Sequence, residues 1–390
     1  MTSRERLLTA LRHGVPDRVP WAPQTTRTFF LGIEEYRGRF ESEELWGPID
    51  SYLVADELRY RLGWYREMDG DFIDWLPSAV KVQYDGRVAV AGKRQGNLIY
   101  REVQTPVGCL AAEAVYSEAA KTSHPVRYLI QGPEDFRAYE YLLEAKHHEP
   151  NFSELAQRLE IIGDAGVALT SGASAPIQEL LLGDLGIQGV IFALYDHRRE
   201  FEHLMSVMHR TNLECCRLLA KSPAQVFIVG NVTGTGMISP WIYDELVAPY
   251  VAEYVAILHE AGKLAVSHAS GEPLKPILAG VKGTGIDAVH GVALPNDRHC
   301  AAAAIRDAWG RCLTTWGGFD PAFLAAASAD AAAEEAERVI NQMLPESNLI
   351  LGTTDDCVAG TPFESFQAIS EVGSASAFHP ALLRGGFNGR

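Results

Sequence analysis

Apolar and polar positions along this chain change rhythm three times. The opening residues carry helical spacing from Arg4 to Arg12, stopped by Gly14, and Pro16-Asp17-Arg18-Val19-Pro20 then leads into a strand at Trp21. Between about 75 and 130 the rhythm becomes short and alternating. Runs at 80–84, 87–91 and 98–103 are separated by Asp85-Gly86 and Gly96-Asn97, which predicts a small antiparallel β insertion of hairpins. From residue 151 onward, apolar runs of strand length alternate with longer helical patterns. The predicted strands are 166–171, 226–231, 263–268, 286–293, 312–317 and 348–353.

The helix before the third of these strands is the clearest. Ser239 is an N-cap with Pro240 at the first helical position, and Ile242, Leu246, Tyr250, Tyr254 and Leu258 recur on one face. Pro249 should kink this helix, and Gly262 should end it. Six βα units, with two more from the less regular first half, predict an α/β fold of the (β/α)8 TIM barrel type. We expect one domain over 1–390, with the hairpins as an insertion.

Several strands end in polar or aromatic residues. The run Lys263 to Ser267 ends at His268, with Ser270, Gly271 and Glu272 following; Ala288-Val289 precedes His290 and Gly291; Leu313 leads to Trp316; and 349–353 leads to Asp355 and Asp356. In a parallel barrel the carboxyl ends of the strands carry the chemistry. The candidate catalytic residues are therefore His268, His290 and Asp355. For each there is a plainer reading: His290 as a turn before Gly291, Asp355 and Asp356 as caps of a loop, Cys357 as a buried thiol. Asn231, after the strand near 226, is a candidate substrate contact, as is Trp316.

The formal net charge of −16 argues against nucleic acid and anionic membranes as partners, because both need a basic surface. No apolar run has membrane-spanning length, and Met1 to Arg6 reads as the start of a charged helix rather than a leader, so a cytoplasmic location is expected. Six cysteines form no C-x-x-C pair and read as free thiols. The glycines at 230, 234 and 236 match neither dinucleotide nor Walker spacing, so no nucleotide cofactor is expected. His147, His148, His197, His203 and His209 read as solvated on polar helical faces.

A family resemblance enters through the opening of the chain and five motifs that follow it in order. Arg4-Glu5-Arg6-Leu7-Leu8, then Pro16-Asp17-Arg18-Val19-Pro20, resembles the opening of the uroporphyrinogen decarboxylase superfamily. Ser239-Pro240, His268-x-x-Gly271, Ile286-Asp287-Ala288, Trp316-Gly317-Gly318-Phe319-Asp320 and Thr361-Pro362-x-Glu364 follow in that family's order. The resemblance implies a (β/α)8 barrel over nearly the whole chain. Thr105-Pro106-Val107-Gly108 looks like the corrinoid-dependent methyltransferase branch.

Thiol-methylating members of that branch hold zinc through a His-x-Cys pair and a distant Cys. Here the corresponding positions are His268-x-Ser270 and Asp355. With both sulfurs replaced, the resemblance implies methyl removal from a donor such as an ether rather than thiol methylation. The expected activity is transfer of a methyl group from a methoxylated small molecule, aromatic donors included, to the cobalt of a corrinoid carried by a partner protein. Because the ether oxygen is a poor leaving group, a Lewis acid or a general acid is needed. His268, Glu272 and Asp355 are the expected zinc ligands, or Glu272 orients His268.

The decarboxylases of the superfamily carry an arginine-rich amino-terminal segment for a polycarboxylate. This chain has Gln24-Thr25-Thr26-Arg27-Thr28-Phe29-Phe30 there, which suits a small, partly aromatic substrate and makes Arg27 and Phe29 candidate contacts. Tetrapyrrole decarboxylation and a catalytically inactive binding or scaffold barrel are the alternative functions.

Overall fold

A computed structural model describes residues 1–40, 55–76, 78–117, 122–231, 233–294 and 301–376. Cys300 lies outside the described residues, as does part of the insertion. The strands are β1 (Phe72–Leu76), β2 (Val80–Tyr84), β3 (Ala89–Gln95), β4 (Leu98–Thr105), β5 (Gly108–Ser117), β6 (Thr122–Arg127), β7 (Lys146–Pro150), β8 (Gly166–Ser171), β9 (Val226–Ile228), β10 (Leu264–His268), β11 (Ala288–Val292), β12 (Thr314–Phe319) and β13 (Asn348–Thr353).

Seven of them form a parallel sheet in the order β1-β8-β9-β10-β11-β12-β13. The sheet curls, because β-strands twist and each connection returns through helices on one side. The eighth expected strand, at Trp21, is a single parallel bridge to Leu351 of β13. Ala22 N donates to Leu351 O (2.9 Å) and Leu351 N to Pro20 O (2.9 Å), while Asp71 N, just before β1, donates to Trp21 O (2.7 Å).

Alternation sorts the strand residues into two cores. Facing inward are Ile73, Val167, Leu169, Val226, Ile228, Leu264, Val266, Ala288, Trp316 and Ile350, joined by Leu7, Leu8, Ala10 and Leu11 of the first helix, Ser3–Leu11. That helix starts in a capping box between Thr2 and Glu5. It closes the amino-terminal end of the sheet: Thr314 Oγ1 donates to Ala10 O (2.7 Å) and His13 Nε2 meets Asp287 O (2.9 Å). Outward-facing residues bury against the surrounding helices in a second, larger cluster. The carboxyl ends of the strands are thus left for the site.

All six predicted strands from 151 onward are present, within two residues at most ends and three at the end of β9. The helix after Ser239 breaks at Val247 into Pro240–Leu246 and Ala248–Glu260, with Pro249 in the first turn of the second piece. The insertion differs from the expectation. Strands β3 to β6 form a four-stranded antiparallel sheet, and Gly96-Asn97 makes the expected tight turn, with Gly96 at φ +63°. The partner of β2, however, is β7, not the run at 87–91. Asp85-Gly86 is therefore a corner between sheets, and the insertion extends to Pro150. His147 and His148 lie on β7 rather than on a helix, and burial pushes the His148 imidazole down to about 4. His209 is also not solvated on both nitrogens, since its Nδ1 meets Tyr254 Oη at 2.8 Å. Among the described residues no helix is long and apolar enough to cross a membrane.

Candidate functional site

His268 is the last residue of β10 and His290 is its register partner on β11. Both point inward by alternation, and their Nδ1 atoms lie 3.0 Å apart. That contact accommodates one proton, donated by one imidazole and accepted by the other. His290 is fully buried, while His268 is half-buried at the rim. Burial drives the His290 imidazole well below the usual histidine range, and the adjacent His268 adds to the effect. Burial also lowers His268, against an opposing pull from the Asp355 carboxylate. At neutral pH the pair is uncharged.

The backbone around the pair is close-packed. Ser270 and Gly271 both turn left-handed, at φ +52° and +74°, and Gly291 does so at φ +82°. A Cβ on Gly291 would stand 2.7 Å from Thr354 O, 2.8 Å from Ser270 N and 3.1 Å from His268 Nδ1. Only glycine lets the two histidine-bearing loops approach this closely. Ala269 N donates to His290 O (2.7 Å) and Gly271 N to Gly291 O (2.8 Å), which locks the turn against β11.

Two tryptophans wall the pair. Trp75 of β1 stands edge-on to both imidazoles, with ring centroids 5.2 Å from His268 and 5.1 Å from His290. Trp316 of β12 stands edge-on to His290 at 4.9 Å and donates its indole N–H to Ala22 O at 3.1 Å. Trp316 is wholly buried, so it is a wall behind His290 rather than an open surface. Trp75 was not singled out from the sequence, because Asp74 interrupts its apolar run. A period-2 reading of Ile73, Trp75 and the following Pro77 was the available signal.

Asp355 is exposed just past β13, and its Oδ2 accepts a hydrogen bond from Ser270 Oγ at 2.5 Å. The neighbouring Asp356 faces the other way. Its carboxylate accepts from Thr26 N (2.6 Å) and Thr26 Oγ1, and burial pushes it up to about 6. Cys357 is a buried thiol raised well above its ordinary pKa by that burial.

Glu272 goes elsewhere. The left-handed turn sends it beneath the loop after β9, where a Cβ on Gly236 would fall 1.8 Å from its Oε2 and one on Gly234 would fall 2.2 Å from its Cβ. The expected zinc set of His268, Glu272 and Asp355 is therefore not assembled. Among the described residues no three or more His, Cys, Asp or Glu side chains form a group suited to a metal ion. His268 has its Nδ1 on His290, Asp355 is held by Ser270, and Glu272 is enclosed by glycines.

The amino-terminal candidates fall in the wall of the fold. Phe29 is buried in an aromatic cluster, edge-on to Phe30 (5.2 Å), Trp64 (5.4 Å) and Phe366 (5.8 Å), so its expected place against a substrate is corrected to a place in the core. Arg27 is half-buried and donates to Phe40 O at 3.1 Å. Asn231 is exposed in the loop after β9, with its carbonyl held by Gln178 Nε2 (2.6 Å).

Comparison with known proteins follows from this geometry. No curated protein sequence matches the chain significantly. Among solved structures, a methyltransferase from Methanosarcina mazei superposes with a TM-score of 0.65 over 96% of this chain and 99% of that one, at 13% identity. A GH5_18 protein from Streptomyces cattleya, in complex with GlcNAc, gives a TM-score of 0.43 over 93% of this chain and 81% of that one, also at 13% identity. The first of these likenesses shows the fold, and the second carries no argument. The family model for uroporphyrinogen decarboxylase (URO-D) matches residues 116–374, from the end of β5 into the last described helix. With that match over well more than half its length, the chain belongs to the uroporphyrinogen decarboxylase (URO-D) family.

Proposed function

We propose that this chain removes a methyl group from a methoxylated small molecule and passes it to the cobalt of a corrinoid carried by a separate protein. The observation that carries the proposal is the neutral His268–His290 pair on two adjacent strands, walled by Trp75 and Trp316, with His268 at the end of its strand. The reduced corrinoid supplies a strong nucleophile for the methyl carbon. What this chain must supply is stabilisation of the oxygen that is left behind.

A neutral imidazole meets that need as a hydrogen-bond donor. When His290 Nδ1–H donates to His268 Nδ1, His268 Nε2 carries its hydrogen at the rim, where it can face the substrate oxygen. Charge developing on that oxygen is then met by a fixed dipole in a dry site, with little reorganisation. Imidazole is too weak an acid to give up this proton, so the oxygen is protonated from solvent on release. Asp355, through its attraction on His268 and its bond to Ser270, holds the rim loop and its polarity. We read the segment at Trp21 as the eighth, closing position of a (β/α)8 barrel, on the strength of its bonds to β13 and to Asp71.

The test is to incubate the purified protein with cob(I)alamin and a panel of methoxyarenes and to follow methylcobalamin by absorbance. His268→Ala should cut the rate by about a hundredfold or more, in line with loss of a donor to a developing oxyanion. Equal rates for wild type and His268→Ala would refute the proposal. Decarboxylation of a tetrapyrrole is disfavoured by the single arginine of segment 24–30, whose guanidinium is engaged by the Phe40 carbonyl.

A further inference from the structure

The helix Gly186–Asp196 is apolar on two opposite sides. Its Val190, Ala193 and Leu194 are buried against the fold, while Ile187, Phe192 and Tyr195 are 45%, 61% and 71% exposed. At 100° per residue, Ile187, Gln188, Ile191, Phe192 and Tyr195 share one sector about 140° wide. A helix that is apolar all round is ordinarily covered on all sides. The 22-residue helix that follows, Arg198–Leu219, is about 33 Å long and returns the chain to β9 by itself, so the helix before it is an addition to that βα unit. The apolar face continues beyond Tyr195. Arg198 lays its guanidinium over the ring of Trp241, 5.6 Å from the centroid, and Glu202 meets its charge at 2.7 Å. Trp241 is itself 40% exposed, which extends the aromatic surface onto the helix Pro240–Leu246.

We propose that two copies of this chain associate through this face, across a two-fold axis. A two-fold contact sets the same patch against itself, so it needs a surface free of like charges. From Gly186 to Tyr195 the helix carries no charged residue, in a chain whose net charge of −16 opposes contact through acidic faces. Gln188, the amide of the sector, both donates and accepts, so it is compatible with its own copy. The area also suffices. At about 150–250 Å² for a whole aromatic side chain, the exposed fractions leave on the order of 400 Å² of apolar surface per copy. Two copies would cover about 800 Å², and at the roughly 65% apolar share of homodimer interfaces this corresponds to about 1,200 Å² in all, the lower bound for a stable contact. A corrinoid carrier that must leave after each transfer fits the face less well, because transient interfaces are no more apolar than the surface around them. A second copy is a permanent cover, and tyrosine and tryptophan are the residue types that anchor such contacts.

The experiment is sedimentation equilibrium of the full chain over a range of concentrations, with no other protein present. Wild type should sediment at twice the chain mass. Phe192→Glu puts a carboxylate into the contact on both copies and should weaken association by about a hundredfold or more, with an unchanged far-UV spectrum. Val126→Glu alters a side chain that is 65% exposed on β6, away from this face, and should leave the dimer intact. Hydrogen exchange on wild type needs no variant to fold: amides of residues 187–195 should exchange faster when the protein is diluted into the monomer range. A wild-type monomer at every concentration would overturn the proposal and leave the face to a transient partner. A dimer that Phe192→Glu does not weaken, or that Val126→Glu weakens as much, would place the contact elsewhere, as would exchange at 187–195 that ignores dilution. Open-ended polymers in place of a dimer would refute the two-fold arrangement.

Discussion

Replacing Gly291 with alanine tests the close approach that joins the two histidines. The residue sits at φ +82°, and a left-handed conformation costs a non-glycine residue about 1–2 kcal/mol. Its Cβ would also press on two backbone atoms, Thr354 O at 2.7 Å and Ser270 N at 2.8 Å, and on His268 Nδ1 at 3.1 Å. Backbone atoms fixed by Ala269 N–His290 O and Gly271 N–Gly291 O cannot rotate aside, so overpacking adds about 1–3 kcal/mol. The sum is about 2–5 kcal/mol. Gly262 supplies the control, since it has φ +70° but no atom within 4 Å of its would-be Cβ. Gly262→Ala should cost the backbone term alone, about 1–2 kcal/mol. Urea unfolding followed by tryptophan fluorescence reads the difference as midpoints at unchanged slope. Gly291→Ala should also lose methyl transfer, because relief of the clash moves His268. Equal midpoints for the two variants would refute the claim that the histidine loops are in contact at Gly291.

Four further outcomes follow from burial and charge. Asp356 and Glu179 have carboxyls pushed up by burial to about 6 and about 7, so the folded state binds protons that the unfolded state releases. Stability should therefore fall as pH rises from about 4 to 7, and Asp356→Asn should flatten the lower part of that slope in pH-dependent denaturation. His268 and His290 act in the opposite sense. Their folded pKa values are depressed, so their contribution is complete above the unfolded histidine value of about 6.5 and is lost as pH falls below it, and His290→Asn should remove part of that acid-side loss. Asp74 is fully buried between Arg61 (3.0 Å) and Arg158 (2.8 Å), so Asp74→Ala should destabilise by about 3–5 kcal/mol in urea melts; a cost under about 1 kcal/mol would deny the pair its buried character. Phe29→Ala should cost about 3–5 kcal/mol of stability while leaving the affinity for a methoxyarene unchanged, and a selective loss of affinity would return Phe29 to the site.

The second half of the chain was legible because each βα unit there is punctuated by chemistry that has one structural meaning. Ser239 caps Ile242 N at 3.3 Å, Asp320 caps Ala322 N at 2.7 Å, and Gly262 turns left-handed before β10. The first half hid its pairings because they are long-range. Nothing in the run at 80–84 distinguishes a neighbour at 87–91 from β7, more than sixty residues away, since both fit a half-exposed antiparallel strand. β1 was missed for a related reason. Its Asp74 breaks the apolar pattern, and only the arginines of two helices, Arg61 before the strand and Arg158 well after it, explain why a carboxylate is tolerated on the outward face. At the site, His268 ends β10 as read, and His290, read as a strand end, lies in the middle of the neighbouring β11 as its register partner. Glu272 was expected beside His268 as a ligand or an orienting carboxylate, but a four-residue spacing aligns side chains only on a helix. Here the spacing crosses two left-handed residues, Ser270 and Gly271, which turn Glu272 under Gly234 and Gly236.

The rim nevertheless preserves the juxtaposition that the resemblance implies. Ser270 and Asp355 stand at the two positions where thiol-methylating relatives carry cysteine, eighty-five residues apart in sequence, and their side chains meet at 2.5 Å. Two positions that shared a metal in such relatives would be expected to stay adjacent after both sulfurs were replaced. A hydroxyl donating to a carboxylate joins them. His268 has turned its Nδ1 to His290, whereas a metal-bound histidine usually gives its second nitrogen to a carboxylate, a carbonyl or water. An imidazole tied to another neutral imidazole is a fixed dipole rather than an activated ligand. On the methyl-donor reading proposed above, the same rim would polarise an oxygen by hydrogen bonds, with Trp75 and Trp316 packed around His290 to limit competition from water.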